Sequence, residues 1–425
     1  MSTADVTARV LQAVDAATEE MIGLVSSTVR MPSVSGTTGE NEAQAVMADV
    51  FRRGGLEVDH WRLDLPTLTA HPDFPGMEVD RSEAWGLVGR LPGTGDGATL
   101  MLNGHIDVVP TGDPDAWAAD PFSGEVRGDA LYGRGACDMK AGLVAAHWAV
   151  QAIRASGVRL RGDLVLASVQ GEEDGGLGTF GLLQRGWTAD ACVIPEPTTL
   201  DIIPANSGAL TFRLRIRGQA THAARRTEGV NAIEKFWPVF QALQRLEARR
   251  HAVVDPLAAR WPLAHPLSIG IVHAGDWASS VPDLLVAEGR LGVAIGEPVD
   301  EARRDLELAV AEACADDPWL RTHPAEVEWW GGQFASGRIP VDSDLVDRVQ
   351  GAHAVASGSR SLDVYGAPYG SDLRLLTGLG GIPTLQYGPG DVMLAHGPFE
   401  CVPVDDVAVT ARTLALLALD VCGVS

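Results

Sequence analysis

Cysteine is scarce in this 425-residue chain: Cys137, Cys192, Cys314, Cys401 and Cys422 are all there is, an odd number with no C-x-x-C spacing. That excludes a disulfide framework and a thiolate zinc site, and fits a reducing compartment. Long hydrophobic runs are missing too. No stretch approaches the roughly 20 apolar residues of a membrane helix, and Met1-Ser2-Thr3-Ala4-Asp5 has neither the basic nor the apolar region of a signal peptide. The chain is therefore expected in the cytoplasm, without membrane association. Positive charge is in deficit, with 33 basic against 56 acidic residues and a net charge of −23. The densest basic stretch, 245–250, is interrupted by Glu247 and reads as a solvated helix face, so no nucleic-acid partner is expected. No repeat, low-complexity tract, phosphate-binding loop or dinucleotide fingerprint is visible; Gly93-Thr94-Gly95-Asp96-Gly97 reads as a turn.

What is present is a composition with 46% hydrophobic and 21% charged residues, enough for full cores in two or three domains. Apolar positions Val10, Val14, Ala17, Met21 and Leu24 predict one helix, stopped at Met31-Pro32-Ser33, and a second is predicted over 42–53. Short apolar runs then end in glycine or acid, at 85–91, 99–103, 163–169 and 192–195, with a helix over 139–155 between two of them. Buried strands alternating with helices predict an α/β fold with a largely parallel sheet, whose ligands sit beyond the carboxyl ends of the strands. From about residue 206 the texture changes. Leu210, Phe212, Leu214 and Ile216 alternate as in a strand with one buried face. Predicted next are a helix over 230–249, with a kink or break at Pro238, strands over 267–274 and 284–295, a helix over 300–315 and a strand over 326–330. The order βαββαβ is ferredoxin-like. The domains are thus expected to be 1–205 with 333–425, and an insert over 206–332. The loop over 65–84 is long enough for a substrate-side role.

Several acid or imidazole clusters terminate the predicted strands. In Asn103-Gly104-His105-Ile106-Asp107, residues two apart share a face, so Asp107 can hold one ring nitrogen of His105 while the other binds a metal; a strand-end histidine beside a surface aspartate fits equally well. Asp138 follows the small residues Gly133, Gly135 and Ala136, which let backbone approach closely, yet it also suits a plain helix N-cap. The run Gly171-Glu172-Glu173-Asp174-Gly175-Gly176 is a solvated loop unless a cation offsets its charge. Two prolines aim Glu196 in Ile194-Pro195-Glu196-Pro197, and His396 stands in a glycine-rich loop. Mixed nitrogen and oxygen donors without thiolate suit Zn²⁺ and tolerate Co²⁺ or Mn²⁺.

From about Arg30 to Asp406 the chain resembles the M20 metallopeptidases and deacylases, the group containing acetylornithine deacetylase, succinyl-diaminopimelate desuccinylase, aminoacylase and the glutamate carboxypeptidases. The resemblance rests on ordered motifs: Gly104 through Pro110, Trp117 with Asp120-Pro121-Phe122, Tyr132-Gly133-Arg134-Gly135 leading to Asp138-Met139-Lys140, Glu172-Glu173, Pro195-Glu196-Pro197, Thr221-His222-Ala223 with Gly229-Val230-Asn231-Ala232, and Gly388-Pro389-Gly390 followed by His396 and Glu400. It implies a metallohydrolase catalytic domain with an inserted lid or dimerisation domain, and a two-Zn²⁺ site bridged by Asp138. His105 and Glu196 would complete one ion, Glu173 and His396 the other. Glu172 would be the general base, Asp107 the acid behind His105, and His222 an oxyanion stabiliser supplied across a homodimer interface, for which the strand over 210–216, read as an edge, and the helix over 230–249 are the candidate surfaces. A cis peptide at Asp138-Met139 is also implied.

The expected reaction is hydrolysis of the amide bond in a small N-acylated amino acid or related metabolite. A dipeptidase or carboxypeptidase, or a deformylase or decarbamoylase of a small amine, is the alternative; a catalytically silent binding protein is a remote one, because every motif position is filled. Substrate contacts are expected from Arg290, Asn231 and Ser371. Where amino-acid-specific relatives carry Asn-x-Ile/Val-Pro, this chain has Ser279-Ser280-Val281-Pro282, so that amide is missing, while Arg290 in Glu288-Gly289-Arg290 keeps a fork able to grip a carboxylate.

Overall fold

In the computed structural model, which describes residues 2–425, the chain forms two compact units. The first comprises residues up to Pro204, Arg338–Tyr365 and Asp372–Ser425; the second runs from Ala205 to Gly337 and also takes in Gly366–Ser371, a segment expected in the first.

The sheet of the first unit runs in the order Glu57–Arg62, Trp85–Leu91, Leu164–Val169, Leu100–His105, Ala191–Ile194, Thr384–Gln386 and Ile202–Asn206. Leu164–Val169, Leu100–His105, Ala191–Ile194 and Thr384–Gln386 are mutually parallel. Antiparallel strands flank them on both sides. The parallel strands are apolar on both faces, as Leu164–Val169 and Leu100–His105 are buried at every position, which requires cover above and below. The helices Ala141–Ala155 and Val404–Cys422 supply much of it through Leu143, Val144, Val150, Ile153, Leu414 and Leu417.

The helix predicted over 10–24 is two helices, Thr3–Ala16 and Thr18–Val29, broken at Ala17, whose φ of −102° and ψ of 4° leave the helical basin. The 3.6-residue period continues across the break, so the apolar spacing does not reveal it.

The second unit packs two helices, Ala232–Arg250 and Val299–Asp316, on one face of an antiparallel sheet in the order Leu267–Ala274, Leu284–Val293, Gly208–Arg217 and Glu326–Phe334. This is the ferredoxin-like arrangement. Leu210, Phe212, Leu214 and Ile216 are fully buried against Val239, Leu243, Leu306 and Val310. The helix Ala232–Arg250 runs through Pro238 without a break. Burial of Val239, Leu243 and Leu246 along one face outweighs a local cost of about 3 kcal/mol for an interior proline. No helix among the described residues is long and apolar enough to cross a membrane.

Candidate active site

The parallel strands place their functional groups at one end. His105 is the last residue of Leu100–His105, Glu172 and Glu173 follow Leu164–Val169, and Glu196 follows Ala191–Ile194. Asp138 comes from a distorted turn, Ala136–Lys140, where its φ of −117° and ψ of 93° depart from helical values and its bond to Met139 is cis, as the resemblance implied. The N-cap alternative fails, because the helix starts at Ala141 with Lys140 at the cap. Gly142 lets that helix meet the Glu196 segment: a Cβ there would lie 1.8 Å from the Pro195 carbonyl oxygen. His396 sits in the left-handed region at φ 62°, sparsely populated for a non-glycine residue.

Five of these side chains, those of His105, Asp138, Glu173, Glu196 and His396, converge. His105 Nε2 lies 3.1 Å from Asp138 Oδ1 and 3.9 Å from Glu196 Oε2. His396 Nε2 lies 3.4 Å from Asp138 Oδ2 and 3.1 Å from Glu173 Oε2. Donor atoms of His105, Asp138 and Glu173 all fall within 4.8 Å of one another. Each oxygen of Asp138 thus faces a different imidazole.

Asp107 is buried behind them, with a correction to the expected contact. His105 Nδ1 is 2.9 Å from the Asp107 backbone oxygen, whereas the carboxylate is 3.8 Å away. The carboxylate instead accepts from Ser35 Oγ at 3.0 Å and from the backbone N–H groups of Glu172 and Glu173 at 3.3 Å. The strand ends at His105, so the alternation behind the expectation stops two residues short of Asp107.

The electrostatics are those of a buried acid cluster. Burial, then Asp372, lifts the Glu172 carboxyl well above its usual range, and burial, then Asp138, does the same to Glu196. Burial alone would depress His105, but Asp138, Glu196 and Asp107 outweigh it and hold the imidazole well above its ordinary value. The Glu173 charge, against burial and with help from Asp138, pushes His396 up to about 11. For Asp138, burial raises the pKa but the two imidazoles prevail and keep it ionised.

Arg134 and Glu400 lie in the family-like motifs but carry no role legible from the sequence. They form a buried ion pair, and Glu400 Oε1 accepts the backbone N–H groups of Cys137 and Asp138 at 3.3 Å each, fixing the turn that presents Asp138. Lys140 Nζ, also buried, donates to the carbonyls of Thr28 and Met31 at 3.0 and 2.8 Å. Both motifs were visible, but the pairings span too much sequence to read from spacing.

The remaining expected site residues belong to the second unit. His222 is exposed and its Nδ1 accepts from Ala224 N at 3.1 Å. Asn231 caps the helix Ala232–Arg250 by accepting from Ile233 N at 2.9 Å. Arg290 lies over the Phe334 ring at 5.3 Å, and Ser371 is buried with its Oγ 3.5 Å from Asn206 Oδ1.

A cluster of acids and imidazoles at the carboxyl end of a parallel sheet has the donor groups of a metal centre, and comparison with known proteins gives the family. Residues 101–420 match the model of peptidase family M20/M25/M40, and the chain belongs to that family of metal-dependent hydrolases. It is 28% identical over 439 residues to an N-formyl-4-amino-5-aminomethyl-2-methylpyrimidine deformylase of Halalkalibacterium halodurans, with 96% of each chain covered. A succinyl-diaminopimelate desuccinylase of Polynucleobacter necessarius is 29% identical over 326 residues, covering 73% of this chain and 79% of that one. The solved dipeptidase Dug1p of Saccharomyces cerevisiae shares the fold with a TM-score of 0.78 at 16% identity, covering 97% and 98%. The protein is an amide-cleaving hydrolase of this family.

Proposed function

We propose that the protein removes a small acyl group from an N-acylated amino acid or related metabolite, using two divalent ions, Zn²⁺ by the chemistry of the donors, with Co²⁺ or Mn²⁺ as substitutes. One observation carries the reading: the two oxygens of Asp138 face two separate imidazoles, as a carboxylate bridging two ions would. The donor set of two imidazoles and three carboxylates fits such a pair, because the buried acids need a cation or protons to offset them. His105, Glu196 and Asp138 would hold one ion; Asp138, Glu173 and His396 the other. When bound, the ions lower the pKa of water to about 7 and polarise the scissile carbonyl.

The chain's own groups do the rest. Glu172 takes the proton from the attacking water and returns it to the departing amine nitrogen, a task suited to a carboxyl raised by burial. Asp107 fixes the backbone of Glu172 and Glu173, so the two side chains leave one turn toward different partners. His222 steadies the developing oxyanion, and Arg290, Asn231 and Ser371 contact the substrate. The single test is a panel of N-acetyl, N-succinyl, N-formyl and N-carbamoyl compounds, with and without an α-carboxylate, together with dipeptides, on metal-reconstituted protein. Turnover of an N-acyl amino acid is expected; cleavage of dipeptides alone would overturn the reading.

A second reading, deformylation of a small amine without an α-carboxylate, is favoured by two observations. Ser279-Ser280 stands where a carboxylate-holding amide was expected, and the deformylase relative matches over 96% of its length. The same panel separates the two.

We place the enzyme in the cytoplasm, in keeping with its free cysteines, and propose a homodimer. The surface first expected to pair, 210–216, is central in its sheet, between Leu284–Val293 and Glu326–Phe334. The edges are Leu267–Ala274 and Glu326–Phe334, and Ile271 and Val272 are exposed on the first. Ile233 and Trp237 are exposed on the neighbouring helix. If His222 acts across this interface, mixing His222→Ala with Glu172→Gln under subunit exchange restores one working centre per mixed dimer.

A further inference from the structure

The segment that the sequence marks as a long loop, between residues 65 and 84, carries an arginine, Arg81, that binds the residue directly after Glu173. The Arg81 side chain is only 1% exposed and is gripped by two acids. Its Nη1 and Nη2 donate to Asp174 Oδ2 and Oδ1 at 2.8 and 2.9 Å. Its Nε and Nη2 donate to Glu40 Oε2 and Oε1 at 3.0 and 3.1 Å. Asp174 directly follows Glu173, and its Oδ2 also accepts the N–H groups of Glu78 and Val79 at 3.1 Å.

A closed circuit of polar contacts results. Asp107 accepts the backbone N–H groups of Glu172 and Glu173 and the hydroxyl of Ser35. The next residue, Gly36, donates its N–H to Glu40 at 2.9 Å, Glu40 binds Arg81, and Arg81 binds Asp174. The loop lies flush on the turn: a Cβ on Gly175 would come within 2.1 Å of the Gly76 oxygen. Arg374 Nη2 adds a contact to the Gly175 carbonyl at 2.7 Å. The backbone from Glu172 to Gly175 is therefore held on both sides by buried charged groups.

Burying three charges is an expensive way to dock a loop, since apolar contacts of similar volume usually serve as well or better. A planar guanidinium with bidentate partners supplies something apolar contact does not: it fixes the direction of the carboxylate it holds. We infer that Arg81 and Asp174 are positioning residues, which set the placement of the Glu172 and Glu173 carboxylates through the intervening backbone. The inference rests on the reading of Glu172 as base and Glu173 as ligand. Misplacement of reacting groups by about 1 Å can cost about 100-fold in rate, so a rigid clamp here bears directly on turnover.

The test compares two isosteric changes on the same guanidinium. Asp174→Asn removes the carboxylate joined to the catalytic turn; Glu40→Gln removes the one that is not. Asp174→Asn is expected to lower kcat at least tenfold with KM within about twofold, and to weaken Co²⁺ binding by the metal-free protein, followed by calorimetry, about tenfold. Glu40→Gln is expected to leave both within about threefold although it costs comparable thermal stability. Equal effects of the two changes, or losses that track melting temperature alone, would overturn the inference. Should Asp174→Asn fail to fold, Asp174→Glu keeps the ion pair and shifts it by one methylene; a kcat within about twofold of wild type would then overturn it. Glu172→Gln in the same assay separates the two levels. If it stays active, the underlying reading fails. If it is inactive while Asp174 variants are not, only the clamp fails.

Discussion

The two units use the same ionic residues in opposite ways. Across the sheet of the second unit, Arg213 pairs with Glu288 and Glu328, Arg215 with Glu328, and Arg217 with Glu326, and these side chains are a fifth to more than half exposed. Positive and negative groups alternate along cross-strand rows, each already partnered in a solvated surface. In the first unit Glu40, Asp107, Glu172, Asp174, Glu196, Asp372 and Glu400 are buried, against the buried bases Arg81, Arg134, Lys140 and Arg374. Charges removed from water are costly unless paired, and here acids exceed bases. A balanced ladder on a sheet surface stabilises weakly, whereas an unbalanced cluster at strand ends needs a cation or protons to offset it, which marks it as the place to look for function.

The largest effect expected of a single change follows from that imbalance. Glu172→Gln should lower kcat by about 10²- to 10⁴-fold while metal content, measured by atomic emission, stays near that of the wild type. Glu173→Gln should instead lower metal occupancy. Equal metal loss in both would break the division between base and ligand.

A second contrast sets a buried pair against an exposed one. Arg134→Met strands Glu400, whose carboxyl burial already raises to about 7, and should destabilise by about 3–5 kcal/mol in urea denaturation. Arg217→Met should cost no more than about 1 kcal/mol by the same measurement. Similar losses would mean that burial is not what separates the two groups of ion pairs.

A smaller effect is set by pH. His147 is buried against Phe51, and burial lowers its pKa from 6.5 to about 4. The unfolded chain binds this proton more readily than the folded one, so the contribution to stability is complete above pH 6.5 and is lost as pH falls toward 4. Between pH 8 and pH 5 the loss should be about 2 kcal/mol, seen as a shift of urea midpoint that His147→Phe removes.

Much of the fold and the candidates for the site were legible in the sequence, for physical reasons. Buried parallel strands are continuous apolar runs, and His105, Glu172, Glu173 and Glu196 stand where those runs stop; chain texture left their bland readings open, and only the family resemblance assigned them roles. Alternation over 210–216 reported a half-buried strand correctly, but it reports faces and not neighbours. The central position of that strand, fixed by two partners 70 to 120 residues away, was therefore missed. Pro238 was given a local penalty that the packing of its helix overrides. The clamp of Arg81 on Asp174 and Glu40 joins residues separated by 93 and 41 positions, with no motif around the arginine. Nothing in one sequence marks such a closure.

His105, Asp138, Glu173, Glu196 and His396 are proposed to form one dinuclear centre. Anomalous diffraction from crystals loaded with Co²⁺ tests it most directly. Two ions about 3.5–4 Å apart are predicted, both within bonding distance of Asp138, one also of His105 and Glu196 and the other also of Glu173 and His396. Cobalt bound elsewhere, or any of the five side chains more than about 6 Å from the ions, would contradict it.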